Sequence, residues 1–221
     1  MRILVSILLL SLAACGRSTP GQPSPAPELA VATKPQGSAQ ATVEARAALL
    51  RPLIDPAKLA TLKGDRAANP RVLKAVAILF TARADGLVPA AVSEAALPES
   101  WRGTAKGSMT TEALLENLRI LDEAGAVTPA DLEALRHGNC PTIRTGPNAG
   151  GILSVDHTVP KKVCPELENV IANLRLMALK ENKSKNDRIG PAEVALAKRL
   201  HRAGLVSDDG MRAVVDKAVS R

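Results

Sequence analysis

An acid, an imidazole and two amides lie between positions 151 and 190 of this chain. Asp156 and His157 end a short β-like run, Asn173 follows a polar loop, and Asn182 lies in a Lys-rich segment that favours a helix. Carboxylate and amide oxygens suit a hard divalent cation, and an imidazole with a pKa of about 6.5 can take a proton from water at neutral pH. The flanking lysines suit a phosphate substrate. The stretch therefore predicts one divalent metal beside one general base.

The order and spacing of these residues also resemble a known motif. The segments 156–160 (DHTVP), 173–176 (NLRL) and 182–185 (NKSK) resemble the three parts of the HNH endonuclease motif, which is built on the ββα-metal fold. The resemblance covers residues 151–190 of the 221 in the chain. It implies a hydrolase that cuts the phosphodiester bonds of DNA and needs a metal.

The resemblance also implies a role for each residue. His157 would be the general base, Asn173 would fix the loop that orients it, and Asp156 and Asn182 would hold the metal. Mg²⁺ is the expected ion, with Mn²⁺ as the alternative. No organic cofactor is expected. Asn182 stands where many relatives have a histidine, so the ligand is neutral and weaker.

Four basic side chains are candidates for binding the phosphates of DNA: Lys185 first, then Lys161 and Lys162, and Arg144 in the turn-rich loop that precedes the motif. For Arg144, an ordinary solvated arginine is an equal alternative. Because phosphate contacts position a nucleic acid without reading its bases, little sequence preference is expected.

The cysteines argue against a structural zinc ion. Relatives often carry zinc-binding cysteine pairs around the motif, but Ala178 and Glu181 occupy the places of the later pair. Cys140 and Cys164 are the two cysteines left after Cys15. In an oxidising compartment they are expected to form a disulfide that closes about 25 residues and stabilises the fold by roughly 3–4 kcal/mol.

The N-terminus predicts export. Arg2 precedes an apolar run over residues 3–12, and the segment 12–15 (LAAC) resembles the lipobox of bacterial lipoproteins, in which Cys15 would be acylated. An ordinary cleaved signal peptide (with an incidental cysteine) is the alternative. The expected location is the cell envelope, lipid-anchored in the outer membrane and facing the periplasm or the surface. Residues 16–41, rich in Pro and Ala, are expected to be a disordered tether.

The rest of the chain predicts helices. Apolar periodicity recurs over residues 42–137, which we interpret as a helical scaffold, and over residues 191–221, which we interpret as C-terminal helices. Helix starts are predicted at Pro70 (with Asn69 as the N-cap), at Thr128 and at Pro191. The fold class is therefore mainly α with a small α+β insert: a helical domain carrying a ββα-metal (HNH) motif over residues 138–190. The scaffold could also be a DNA-docking platform.

Charge and composition narrow the class of partner. The net charge is +7, yet residues 17–135 carry 13 basic and 13 acidic residues, so the excess lies on the motif and the tail, where a polyanion would need it. One Trp, one Phe and no Tyr argue against a stacking surface for single strands. Two further hypotheses remain: a catalytically inactive HNH-like lipoprotein that binds nucleic acid or an envelope partner, and a purely structural helical lipoprotein.

Overall fold

The computed structural model describes residues 36–54 and 69–220. Within these ranges the chain is mainly helical, with one small antiparallel sheet of two strands, which confirms the predicted fold class at this level. The helices and strands are α1 (Gln36–Ile54), α2 (Pro70–Ala84), α3 (Pro89–Ala96), α4 (Ala105–Glu123), α5 (Pro129–His137), β1 (Leu153–His157), β2 (Leu174–Ala178), α6 (Leu179–Lys185), α7 (Pro191–Arg202) and α8 (Asp208–Val219). Within the described ranges, three short 3₁₀ turns lie at Glu99–Trp101, Pro165–Leu167 and Ile171–Asn173.

The helix ends follow local sequence signals. Proline occupies the first turn of α2, α3, α5 and α7, where a backbone N–H has no helical partner in any case. Thr128 and Asp131 form a reciprocal capping box at the start of α5. Gly86, which follows α2, has φ +80°, a left-handed conformation that costs glycine little. The helix starts predicted at Pro70, Thr128 and Pro191 are confirmed.

The two strands and α6 form one continuous unit. β1 pairs antiparallel with β2, with Asp156 opposite Arg175 and His157 opposite Leu174. The connecting segment 158–173 makes two 3₁₀ turns before β2, and α6 begins directly after β2. Asn117 of α4 lies against the other edge of β2, where it accepts a hydrogen bond from Leu176 N at 2.6 Å and donates to Leu174 O at 2.9 Å. A buried side chain therefore satisfies edge groups that would otherwise be unpaired.

Two hydrophobic cores meet at this unit. The first core joins α1 to α5 with the inner face of the sheet, including Leu153, Val155 and Leu176. The second core joins the connecting segment, through Val159 and Leu167, to α7 and α8. Residues 156 and 157 lie where the chain passes from the first core to the second.

The predicted N-terminal segments fall largely outside the described residues. The signal peptide with Cys15 lies there, and so do residues 16–35 of the predicted tether. Residues 36–41 of that tether belong to α1, so its predicted end at position 41 is wrong. No proline interrupts the chain between Gln36 and Arg51, and alanine and glutamine favour a helix there. In the part of the chain that the structure describes, no helix is both long and apolar enough to span a membrane.

Candidate active site

One open cleft of about 450 Å³ contains three of the four motif residues identified from the sequence. Asp156 and His157 come to it from the end of β1, and Asn182 comes from α6. Lys161 and Lys162 of the connecting segment lie on its wall. The remaining lining residues are Asn69, Val155, Pro160, Lys183, Asn186 and Asp187.

His157 is half-buried and held by one ring nitrogen. Nε2 lies 3.0 Å from the backbone carbonyl of Glu168. Because a carbonyl oxygen can only accept, Nε2 must carry the proton, and in the neutral ring the lone pair is then on Nδ1. Among the described residues Nδ1 has no hydrogen-bond partner.

The surroundings of His157 favour the neutral ring. Burial lowers the pKa of His157 below its ordinary value of 6.5, because desolvation disfavours the imidazolium ion. The hydrogen bond to Glu168 opposes this shift, the positive charge of Lys161 adds to it, and the charge of Asp156 opposes it in turn. The net effect is an imidazole able to accept a proton at neutral pH.

Asn173 lies in the interior and is not among the residues that line the cleft. It is fully buried, accepts from Val159 N at 2.8 Å, and donates to Val159 O at 2.9 Å and Leu167 O at 3.4 Å. Its own backbone carbonyl accepts from Thr158 N at 2.8 Å. Asn173 therefore ties both ends of the connecting segment together and positions His157 indirectly, while its side chain does not line the cleft.

Asp156 and Asn182 leave two oxygens for a cation. Asn182 donates through Nδ2 to Ser154 Oγ at 3.0 Å and to Val155 O at 3.4 Å, so its Oδ1 is the atom left over. Asp156 is bonded through Oδ2, and Oδ1 has no hydrogen-bond partner within the described ranges. A carboxylate and an amide oxygen fit Mg²⁺, which keeps several waters in its shell. The described residues contain no group of three or more His, Cys, Asp or Glu side chains that could hold a metal.

Lys185 is not exposed toward a substrate. Its side chain is 16% exposed, and Nζ donates to Asp156 Oδ2 at 2.5 Å and to the carbonyls of His157 and Thr158 at 2.8 Å each. An ammonium group has three N–H donors, and three acceptors meet them. The structure therefore gives Lys185 a contact inside the site in place of the predicted phosphate contact.

The other predicted phosphate ligands divide into two groups. Lys161 and Lys162 line the cleft, with Lys161 paired to Glu168 at 3.0 Å. Arg144 does not line it: its guanidinium makes two hydrogen bonds with Asp131, at 2.8 and 2.9 Å. Burial alone would raise the pKa of Asp131, but the bonds from Arg144 and Thr128 lower it overall, so the pair stays charged. Arg144 therefore stabilises the start of α5, and a phosphate role for it is not supported.

The structure contains no disulfide between Cys140 and Cys164. Cys140 packs against the first core, whereas Cys164 is fully buried in the second core, so the two side chains belong to different parts of the interior. Burial, together with the neighbouring Glu166, raises the pKa of Cys164 to about 11, which keeps its thiol protonated. The predicted pairing is therefore wrong.

Sequence reasoning missed part of the cleft. The described residues include two non-glycine residues with positive φ, Asn69 at +44° and Asn186 at +52°, and both line the cleft. Asn69 was interpreted as a helix cap, but its side chain makes no capping hydrogen bond. Asp187 and Lys183 also line the wall. The one available signal was the Asn186-Asp187 pair directly after the motif, since asparagine tolerates left-handed backbone.

Comparison of the chain with protein-family models, with curated proteins and with solved structures gives no match.

Proposed function

We propose that this protein is a metal-dependent, HNH-type endonuclease that hydrolyses phosphodiester bonds of DNA with little sequence preference. The observation that carries the proposal is the arrangement of His157. Nε2 is held by a backbone carbonyl, which leaves Nδ1 as the basic atom, and the ring lines the same cleft as Asp156 and Asn182. A general base that shares a cleft with two hard oxygen donors can support phosphodiester hydrolysis by an activated water.

The residues of the cleft have different roles in the proposed hydrolysis. Nδ1 of His157 takes a proton from a water molecule whose oxygen attacks phosphorus, while the Nε2–H bond to Glu168 fixes the plane of the ring. As the new bond forms, the bond from phosphorus to the departing sugar oxygen breaks, and that oxygen takes a proton from solvent. Lys161 and Lys162 orient the phosphate from the wall of the cleft. A divalent ion bound by Asp156 and Asn182 would supply charge neutralisation for the phosphate and for the departing oxygen.

The N-terminal sequence supports a location in the cell envelope. The charged start, the apolar run and the LAAC segment at residues 12–15 support export and acylation of Cys15, which would anchor the protein in the cell envelope. Such a location would separate the nuclease from the DNA of the cell that makes it.

The test uses the chain without its proposed signal segment, residues 16–221, which keeps the whole compact unit of residues 35–221. Supercoiled plasmid is incubated with Mg²⁺, with Mn²⁺ or with EDTA. Nicking that requires a metal and falls by at least about 10²-fold in His157→Ala is the expected result. His201→Ala is the matched control, because His201 lies on α7 and pairs with Asp208 away from the cleft. Cleavage in EDTA, or equal loss in both variants, would contradict the proposal.

A second candidate function is a binding module that does not cut, and the contact between Lys185 and Asp156 favours it. That ion pair neutralises the charge of the carboxylate without any metal. DNA that is retarded on a gel but remains intact with every metal would select this function. Neither cleavage nor binding would favour a purely structural helical lipoprotein.

A further inference from the structure

Asp156, which lines the cleft, forms an ion pair with Lys185, which does not, and the two side chains are 8% and 16% exposed. The same ammonium group also holds the carbonyls of His157 and Thr158, so it joins α6 to the segment that carries the general base. A buried carboxylate needs a compensating charge, and here that charge belongs to the protein itself.

Each of the three carboxylates at or next to the cleft is paired with a lysine before any metal enters. Besides the pair of Asp156 and Lys185, the Glu168 carboxylate is paired with Lys161, and Asp187 is paired with Lys217 at 3.2 Å. Lys162 and Lys183 also line the cleft, and neither makes a salt bridge within 4.0 Å of a carboxylate among the described residues, although the charge of Lys162 acts on Asp187. A dication placed on Asp156 would therefore meet a neutralised carboxylate and nearby positive charge, which repels it.

We propose that Lys185 is a resident cation of this site: it keeps the site folded without a metal and weakens the binding of a divalent ion to Asp156. This inference rests on the proposed metal site and deepens it by naming the residue that sets metal affinity. Lys185 acts through Asp156 and the backbone of residues 157 and 158, so it is a positioning residue.

The test measures Mn²⁺ binding to residues 16–221 by electron paramagnetic resonance of the free ion, with no DNA present. Lys185→Met removes the charge and keeps the bulk, and it should bind Mn²⁺ roughly tenfold more tightly than the unmodified chain. Lys185→Arg keeps the charge and should bind it weakly, as the unmodified chain does. Asp156→Asn in the Lys185→Met background should abolish the gain.

Thermal unfolding gives the second readout. In EDTA, Lys185→Met should melt below the unmodified chain, and millimolar Mn²⁺ should raise its Tm by more than it raises that of the unmodified chain. Equal or weaker Mn²⁺ binding by Lys185→Met, or a variant that stays unfolded even with Mn²⁺, would overturn the inference.

Failure of this inference can be distinguished from failure of the proposed nuclease activity, because Mn²⁺ binding and plasmid cleavage are measured separately. Tighter Mn²⁺ binding by Lys185→Met without any plasmid cleavage would leave this inference standing and remove the proposed nuclease. Plasmid cleavage by the unmodified chain, together with an unchanged Mn²⁺ affinity in Lys185→Met, would remove this inference and leave the proposed nuclease standing.

Discussion

One ring nitrogen of His157 makes a structural hydrogen bond, and the other is available for proton transfer. Nε2 donates to the Glu168 carbonyl, so rotation of the ring about its bond to the chain is restricted. Burial favours the neutral ring, and Nδ1 is its basic atom. The same contact that orients the ring thus also selects the tautomer, and both properties are requirements for a general base.

The pH dependence of DNA cleavage should reflect this environment. The pKa of His157 is lowered, so the base is neutral above its folded pKa, and kcat/KM should rise with pH to a plateau with a midpoint below 6.5. Because the unfolded chain binds the proton more readily, folding stability from this group is present above 6.5 and is lost as the pH falls through the folded pKa. Plasmid nicking rates over a pH series, at fixed metal concentration, measure the midpoint.

Lys161→Ala is the companion change. The positive charge of Lys161 lowers the pKa of His157, so removing that charge should move the midpoint of the cleavage profile to higher pH. Lys198→Ala, a change on α7 away from the cleft, should leave the midpoint in place. A midpoint that moves to lower pH in Lys161→Ala would contradict this account of His157.

Asn173 should matter to stability more than its size suggests. Replacing it with alanine leaves Val159 N–H and Val159 C=O without partners in the interior, which should lower the free energy of unfolding by about 2–4 kcal/mol. Urea denaturation measures the loss. Asn148→Ala is a suitable comparison, since Asn148 makes one exposed hydrogen bond to Glu181 and should cost less than about 0.5 kcal/mol. Similar losses in the two variants would contradict the positioning role.

At the scale of elements, the sheet has two strands and one of its edges is covered by a helix. A two-stranded sheet is marginal by itself, so β1 and β2 depend on packing against α4 and α6. Asn117 completes β2 by bonding with Leu174 O and Leu176 N, as a third strand would. The candidate site therefore lies on a small sheet that the helical scaffold stabilises.

Asn117→Leu should loosen this sheet. It keeps a similar branched shape but removes both bonds to β2, and the free energy of unfolding should fall by about 2–3 kcal/mol. Hydrogen exchange should show faster exchange of the Leu176 amide, while amides in α7 keep their protection. Unchanged protection of Leu176 would mean that α4 does not hold the strand through this side chain.

At the scale of the whole molecule, the cleft lies where two cores join. Buried Arg71, in the first turn of α2, donates to the carbonyl of Asn169, one residue after the Glu168 carbonyl that holds His157. The helical scaffold thus reaches the segment that orients the base. This contact gives residues 42–137 a physical role in the site, although their charges balance and none of the phosphate lysines lies there.

The salt dependence of DNA binding should identify the charged surface. A lysine that contacts phosphate releases a counterion, so Lys162→Ala should reduce the slope of log K against log salt by about one. Lys198→Ala should leave the slope unchanged, because Lys198 does not line the cleft. Fluorescence anisotropy with a labelled duplex, in Ca²⁺ to limit cleavage, gives the slopes. Equal slopes for the unmodified chain and for both variants would mean that DNA binds elsewhere on the molecule.

The sequence by itself determined the elements and the candidate residues. Proline and threonine at helix starts, glycine at helix ends and the spacing of Asp156, His157 and Asn182 are local patterns, and local patterns can be read along the chain. The predicted mainly helical class with a two-stranded insert is confirmed because it depends on such patterns.

Only the tertiary structure decided which groups meet. Lys185 pairs with Asp156 and Arg144 pairs with Asp131, while Cys140 and Cys164 pack against different cores. Asn69, 87 positions before Asp156, reached the same cleft. Each of these outcomes depends on how distant segments pack, and a charged side chain pairs with whatever that packing brings near it. No local pattern along the chain could therefore distinguish a phosphate ligand from a partner in an internal ion pair.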